Sequence, residues 1–102
     1  MANKTAQDVF GRLVYDYNHV YDEWKKADGA HSLTTALVPV LNEAAIDLLG
    51  TANLTLCAPE ILGVRRSHIV ESLTRDLMRF TGRIDLSKVT WDLTLAKLRS
   101  LR

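Results

Sequence analysis

The stretch from Ala6 to Ala27, AQDVFGRLVYDYNHVYDEWKKA, places apolar residues at alternating steps of four and three. This heptad rhythm keeps one side of an α-helix turned toward a partner helix. A second apolar row widens that side into a face. The two rows are Ala6, Phe10, Leu13, Tyr17, Val20, Trp24 and Ala27, and Val9, Val14 and Tyr21. Because such a face is unfavourable in water, the other segments are predicted to cover it.

Length and composition predict one domain, 1–102, of an ordinary globular protein. Apolar residues make up 47% of the chain and charged residues 25%, which argues against a disordered chain. The lone Cys57 cannot form an internal disulfide, which fits a reducing compartment. There is no basic-then-apolar leader and no long uncharged apolar run, so the cytoplasm is the expected location.

Charge is unevenly distributed along the chain. Residues 1–62 contain four bases and eight acids, whereas residues 63–102 contain nine bases and four acids. A basic half can bind nucleic acid, an anionic membrane leaflet or an acidic partner, and net charge does not separate these three.

Local signals predict the first two helices. Thr5 is expected to cap the first helix through the amide of Asp8, and Asp28-Gly29 is expected to end it. Ser32 or Thr35 is expected to cap the second, in which Pro39 leaves open a kink or a later start. Glu43 and Asp47 stand one turn apart and are interpreted as a solvated face rather than a catalytic pair.

The third helix is predicted to begin properly at Ser67 and to run to about Thr81, with Gly82 ending it. Pro59 suits a first helical position, but Gly63 and Ser67 indicate that 59–66 forms a separate short turn. The spacing gathers basic residues on one face as a continuous stripe: Arg65, His68, Arg75, Arg79 and Arg83.

A fourth helix is predicted from an Asp85 cap, with Ile84 and Val89 as a hydrophobic staple. It carries two apolar rows on nearly opposite sides: Leu86, Val89, Leu93 and Ala96, and Trp91, Leu95 and Leu98. Either both rows are partly covered in a groove, or the second stays exposed as a docking site. The predicted fold class is therefore all-α, an antiparallel up-and-down four-helix bundle.

Catalytic and metal-binding motifs are not found. His19, His31 and His68 lack metal-ligand spacing, Cys57 has no activating partner, and no glycine-rich phosphate loop occurs. No enzyme activity, metal or cofactor is expected.

From Leu56 onward the sequence resembles the immunity proteins that protect lactic acid bacteria from their own pediocin-like (class IIa) bacteriocins. The matching stretches are Ala58-Pro59-Glu60-Ile61-Leu62 through Arg65, the helix with Ser67, Ile69 and Val70, and Asp85-Leu86-Ser87 leading to Leu95-Ala96-Lys97-Leu98. The near-neutral charge and the lysine-poor middle helices depart from the family pattern.

The resemblance implies a non-enzymatic cytoplasmic four-helix bundle, partly peripheral to the inner face of the membrane. It would recognise a membrane permease of the mannose phosphotransferase type with bound bacteriocin, and no small-molecule substrate is implied. Positive side chains are expected outside the bundle, free to touch the membrane or the receptor, with three apolar anchors beside them. The candidate residues are Arg65, Arg75, Arg79, Arg83, Trp91, Leu95, Lys97, Leu98, Arg99 and Arg102.

Two other hypotheses follow from the same residues. One is a small nucleic-acid-binding regulator that uses the basic helix 67–83, although the long acidic first helix and the loose connection before the third argue against it. The other is a homodimeric interaction module that buries the second apolar row of the fourth helix.

Overall fold

The structure is a computed structural model that describes residues 5–27, 32–51, 58–80, 82–92 and 97. It contains three α-helices in these residues, α1 (Ala6–Lys26), α2 (Leu33–Thr51) and α3 (Pro59–Leu77), followed by a short 3₁₀ helix, Leu86–Lys88. No strand occurs in the described ranges. The all-α prediction is confirmed, and the described part of the chain contains three α-helices rather than four.

The start of α1 follows the prediction closely. The Asp8 amide donates to Thr5 Oγ1 at 3.2 Å, and the Thr5 amide donates to Asp8 Oδ2 at 3.0 Å. This reciprocal capping box satisfies two amides that the helix itself leaves without partners. The helix ends at Lys26 with Ala27 as its cap, and the predicted terminator Asp28-Gly29 lies outside the described residues.

The second helix begins at Leu33 with Ser32 as its cap, since the Thr35 amide donates to Ser32 Oγ at 3.1 Å. It runs through Pro39 without interruption, so a later start is excluded. Pro39 removes the bond that its missing amide would have made to the Thr35 carbonyl, one turn earlier, and its ring crowds that carbonyl.

Pro59 opens α3 as predicted, but the helix is continuous, so the separate turn at 59–66 is wrong. One interior glycine costs about 1 kcal/mol, which is too little to end a helix by itself. Ser67 donates its hydroxyl to the Gly63 carbonyl at 3.0 Å and so bonds within the helix. The helix also ends at Leu77, one turn earlier than predicted, and Gly82 lies beyond it with a φ of 89°.

The predicted fourth helix does not begin at Asp85. Asp85 caps only the 3₁₀ helix, accepting from the Ser87 amide at 3.0 Å, and Val89 is extended. Val89 and Trp91 both pack against the core. Residues two apart share a side only in extended backbone, whereas an α-helix would separate them by about 200°. Lys97 is helical, and the remainder of the predicted fourth helix lies outside the described residues.

The core joins the three helices and the segment that follows them. α1 packs on α2, and α2 packs on α3, while the 3₁₀ helix contacts α1. The buried apolar residues are Val9, Phe10, Leu13, Val14, Tyr17, Leu37, Leu41, Ala44, Ala45, Leu48, Leu49, Ile69, Leu73, Leu77 and Ile84. The apolar face predicted on the first helix is therefore the one that is buried.

Among the described residues, α2 is long and apolar enough to cross a membrane by length and composition. Glu43 and Asp47 lie within this helix, so its apolar run is not uncharged. One such helix is weak evidence, since core helices meet the same criteria, and 33% of its most apolar window is buried. α2 contacts both α1 and α3, while Val38 and Ile46 remain 48% and 52% exposed.

Candidate functional site

The predicted basic stripe is divided by the fold. Arg75 is exposed on α3 and Arg79 is exposed in the turn that follows it, whereas Arg65 is half-buried. Arg83 reaches back to α1 and forms a salt bridge with Asp22. The prediction that these arginines are free outside the bundle is therefore wrong for Arg83, because an acid of the first helix neutralises it.

The turn that contains Arg83 is held on α1 by a set of contacts that we call the clasp: Tyr17, Asn18 and Asp22 with residues 82–84. The Asn18 amide group donates to the Ile84 carbonyl at 2.9 Å, and the Ile84 amide donates to Asn18 Oδ1 at 2.8 Å. Tyr17 donates its hydroxyl to the Gly82 carbonyl at 3.3 Å. Burial raises the pKa of Tyr17, and neighbouring Tyr21 adds to the effect.

Sequence reasoning did not find the clasp. Asn18 follows an apolar position of the first helix and resembles any outward polar residue. Its partner is 66 residues away in the chain, so no local pattern links the two. The clasp explains why Ile84 is only 4% exposed and why the chain after α3 follows α1.

Trp91, predicted as an apolar anchor, is half-buried against α1. Its ring stacks on Phe10 with 4.2 Å between centroids and 6° between planes. One ring face is therefore covered by the protein itself, which favours the partly covered alternative over an exposed docking row. A partner could approach only the remaining face and the edge.

Asp92 joins the end of this segment to α3 and to Lys97. Its amide donates to Oδ2 of Asp76 at 3.1 Å, and Asp76 is 1% exposed. The Lys97 ammonium lies 2.8 Å from Asp92 Oδ1. The hydrogen bond and charge of Lys97 hold the pKa of Asp92 below its usual value, with smaller contributions from Arg75 and Arg79. Lys97 is therefore a paired cation, not a free one.

The outward side of α3 combines apolar and basic side chains. Ile61 and Val64 are 44% and 51% exposed near its start, and Arg75 and Arg79 are exposed near its end. Met78 is also 44% exposed. The predicted residues Leu95, Leu98, Arg99 and Arg102 lie outside the described residues.

A furrow between the end of α2 and the start of α3 was not predicted. It has a volume of about 290 Å³ and is lined by Ile46, Leu49, Pro59, Leu62, Gly63 and Arg66. A second depression along the same helix pair also has Arg66 in its wall, with Asn42, Ser67, Val70 and Glu71. The spacing of Arg66 one heptad before Leu73, which places it on the core side of α3, is the sequence signal that could have indicated this furrow.

The described ranges contain no candidate metal-binding site, since no group of three or more His, Cys, Asp and Glu side chains there could hold an ion. His19 and His68 are both exposed, on α1 and α3. His31 and Cys57 lie outside the described residues.

Comparison with protein-family models, with curated proteins and with solved structures finds no match for this chain. The basis for a function is therefore the chain's own residues and the resemblance that begins at Leu56.

Proposed function

We propose that the protein is a non-enzymatic helical binding protein, and that the process it serves is immunity to a pediocin-like bacteriocin. It would bind the complex of bacteriocin and mannose-type permease from the cytoplasmic side. The observation that carries this proposal is that the stretches of the resemblance coincide with boundaries in the fold. Ala58-Pro59 is the start of α3, and Asp85-Leu86-Ser87 is the capped 3₁₀ helix after the break that follows α3.

The antiparallel four-helix bundle is part of the same proposal. α1 and α3 each contact α2, and the segment 82–92 contacts both α1 and α3. A fourth helix after Asp92, which would include the helical Lys97, would complete the bundle beside that segment.

The proposed contact surface is the outward side of α3 with the C-terminal residues that follow Asp92. Arg75 and Arg79 supply exposed positive charge, and each is worth about 1 kcal/mol near an anionic leaflet. Arg65 and Arg83 contribute less, since the first is half-buried and the second is ion-paired. Trp91 contributes through its uncovered ring face. Leu95, Leu98, Arg99 and Arg102 complete the proposed set.

The test is expression of the gene in a strain sensitive to pediocin-like bacteriocins. Tolerance to at least one peptide of a panel should rise. Replacing Arg75 and Arg79 together by glutamine should weaken association with the membrane or receptor roughly thirtyfold, from about 2 kcal/mol, and lower tolerance. The matched control replaces Lys25 and Lys26, exposed at the end of α1, and should retain tolerance.

Unchanged killing across the whole panel, with the protein folded and expressed, would rule out immunity. Equal tolerance in the arginine double variant and the lysine control would remove α3 from the contact surface. Circular dichroism of each variant checks that the helices are intact.

The nucleic-acid alternative gains no support from the described residues. Of the predicted stripe, Arg65 is half-buried, Arg79 lies beyond the end of α3, and Arg83 is bound to Asp22. A groove-binding helix would need these cations exposed together on one side. A gel-shift at low salt checks this alternative, and sedimentation checks for the homodimeric module.

A further inference from the structure

The furrow between α2 and α3 has the shape and lining of a small-ligand site. Leu49, 5% exposed, forms its floor, and Ile46, 52% exposed, forms its rim. Pro59 and Leu62 form the opposite wall. A volume of about 290 Å³ is at the lower end of the range for small-molecule sites, about 300 to 1,000 Å³. There is room for one alkyl chain but not for the two chains of a bilayer lipid.

Gly63 has no side chain to occupy the furrow on the α3 side. A Cβ added at this position would meet no atom within 4 Å, so the space above the glycine is open. A leucine here would extend from that position into the space that Gly63 lines. Gly63→Leu is therefore the substitution expected to fill the furrow.

Among the described residues that line the furrow, Arg66 alone is charged, and it also lies in the wall of the adjoining depression. It is exposed, and no described side chain forms an ion pair with it. It lies one heptad before buried Leu73, so it stands on the core side of α3. The described lining of the furrow thus combines one cationic side chain with apolar residues, which complements a carboxylate attached to an apolar chain.

We propose that this furrow binds a single-chain fatty carboxylate. The alkyl chain lies against Ile46, Leu49 and Leu62, and the carboxylate meets Arg66. The charge of Arg66 selects an anionic headgroup, and the volume selects one chain. This inference does not depend on the proposed function, since a sensitive strain can gain tolerance whether or not the furrow binds a ligand.

The test is titration of the full chain with decanoate below its micelle concentration, followed by isothermal calorimetry and amide NMR. Shifts should concentrate at Ile46, Leu62 and Gly63. Affinity should rise roughly fourfold for each added CH₂ from hexanoate to decanoate. Decanol and decyltrimethylammonium carry the same chain without the negative charge, so both should bind more weakly than decanoate.

Two variants test the two halves of the site. Arg66→Gln should lower decanoate affinity at least about tenfold, toward that of decanol, because a charge-assisted hydrogen bond is lost. Gly63→Leu should abolish binding by filling the furrow. Lys88→Gln removes an exposed cation on the 3₁₀ helix and should leave binding unchanged. Circular dichroism and urea midpoints show whether each variant is folded.

Several outcomes would overturn the proposal. These are no binding of any chain length, equal binding of decanoate and decyltrimethylammonium, or decanoate binding that Arg66→Gln and Gly63→Leu leave unchanged. A doubled mass in sedimentation that Gly63→Leu abolishes would assign the furrow to a second copy of the chain instead.

Discussion

Replacing Asn18 by alanine should destabilise the protein more than any other single polar substitution on the α1 surface. The asparagine side chain donates to the Ile84 carbonyl and accepts from the Ile84 amide, at 2.9 and 2.8 Å. Ile84 is 4% exposed, so alanine at position 18 leaves two backbone groups beside the core without their partner. The substitution also frees the turn that places Ile84 against α1.

The expected magnitude follows from counting those two groups. An unsatisfied buried donor or acceptor costs about 1 to 3 kcal/mol. Asn18 is half-buried, so water can reach part of the vacated space and the lower part of the range applies. We expect a loss of about 2 to 4 kcal/mol, a large share of the 5 to 15 kcal/mol that stabilises a typical domain.

Urea denaturation followed by circular dichroism measures the loss, and thermal unfolding should show a fall in Tm of at least about 8 °C. Asn42→Ala is the matched control, because its amide group donates to the Val38 carbonyl of its own helix at an exposed position. The control should stay within about 0.5 kcal/mol of the wild type. If Asn18→Ala also stays within that limit, the clasp does not hold the segment after α3, and the reasoning fails.

Three further predictions concern the turn at Gly82, the interior of α3 and the cap of the 3₁₀ helix. Gly82→Ala should destabilise the protein by about 1 to 2 kcal/mol in urea denaturation. Gly82 has a φ of 89°, which is strained for any residue with a side chain. An unchanged stability would contradict that backbone conformation. Gly63→Ala should stabilise the protein by about 0.5 to 1 kcal/mol, because alanine restricts the unfolded backbone and its Cβ meets no atom in α3. A lower urea midpoint would refute a continuous α3. Hydrogen bonds from the Ser87 hydroxyl and then the Ser87 amide lower the pKa of Asp85. The stability this carboxylate adds is present above its unfolded pKa and disappears as pH falls through the lower folded value. Ser87→Ala should raise the Asp85 pKa in a carboxyl NMR titration, and an unchanged pKa would exclude that cause.

Much of the fold could be predicted because its determinants are local. The Thr5 and Asp8 box, the Ser32 cap and Pro59 at the first position of α3 each act within one helical turn. The apolar face of α1 follows from residue spacing alone. These signals need no knowledge of distant partners, and they determine an all-α chain with helices near the observed bounds.

The errors arose where local propensity met tertiary packing. Gly63 and Ser67 indicated a break in α3, yet the helix is continuous through both, although its buried residues all follow Ser67. A glycine costs a helix interior only about 1 kcal/mol, which is too little to end it. Helical spacing placed Trp91 on a fourth helix, whereas its ring stacks on Phe10 from a non-helical stretch, 89–91, in which Val89 is extended.

The sequence by itself determined that the chain forms amphipathic helices, because periodicity and capping depend on neighbours a few residues apart. Only the tertiary structure decided which charges remain available. Arg83 is neutralised by Asp22, and Lys97 by Asp92. Arg66 lines an apolar furrow, because the end of α2 lies next to the start of α3. Such pairings depend on which helix faces pack together. Residue spacing along a single helix does not determine which partner each face will have.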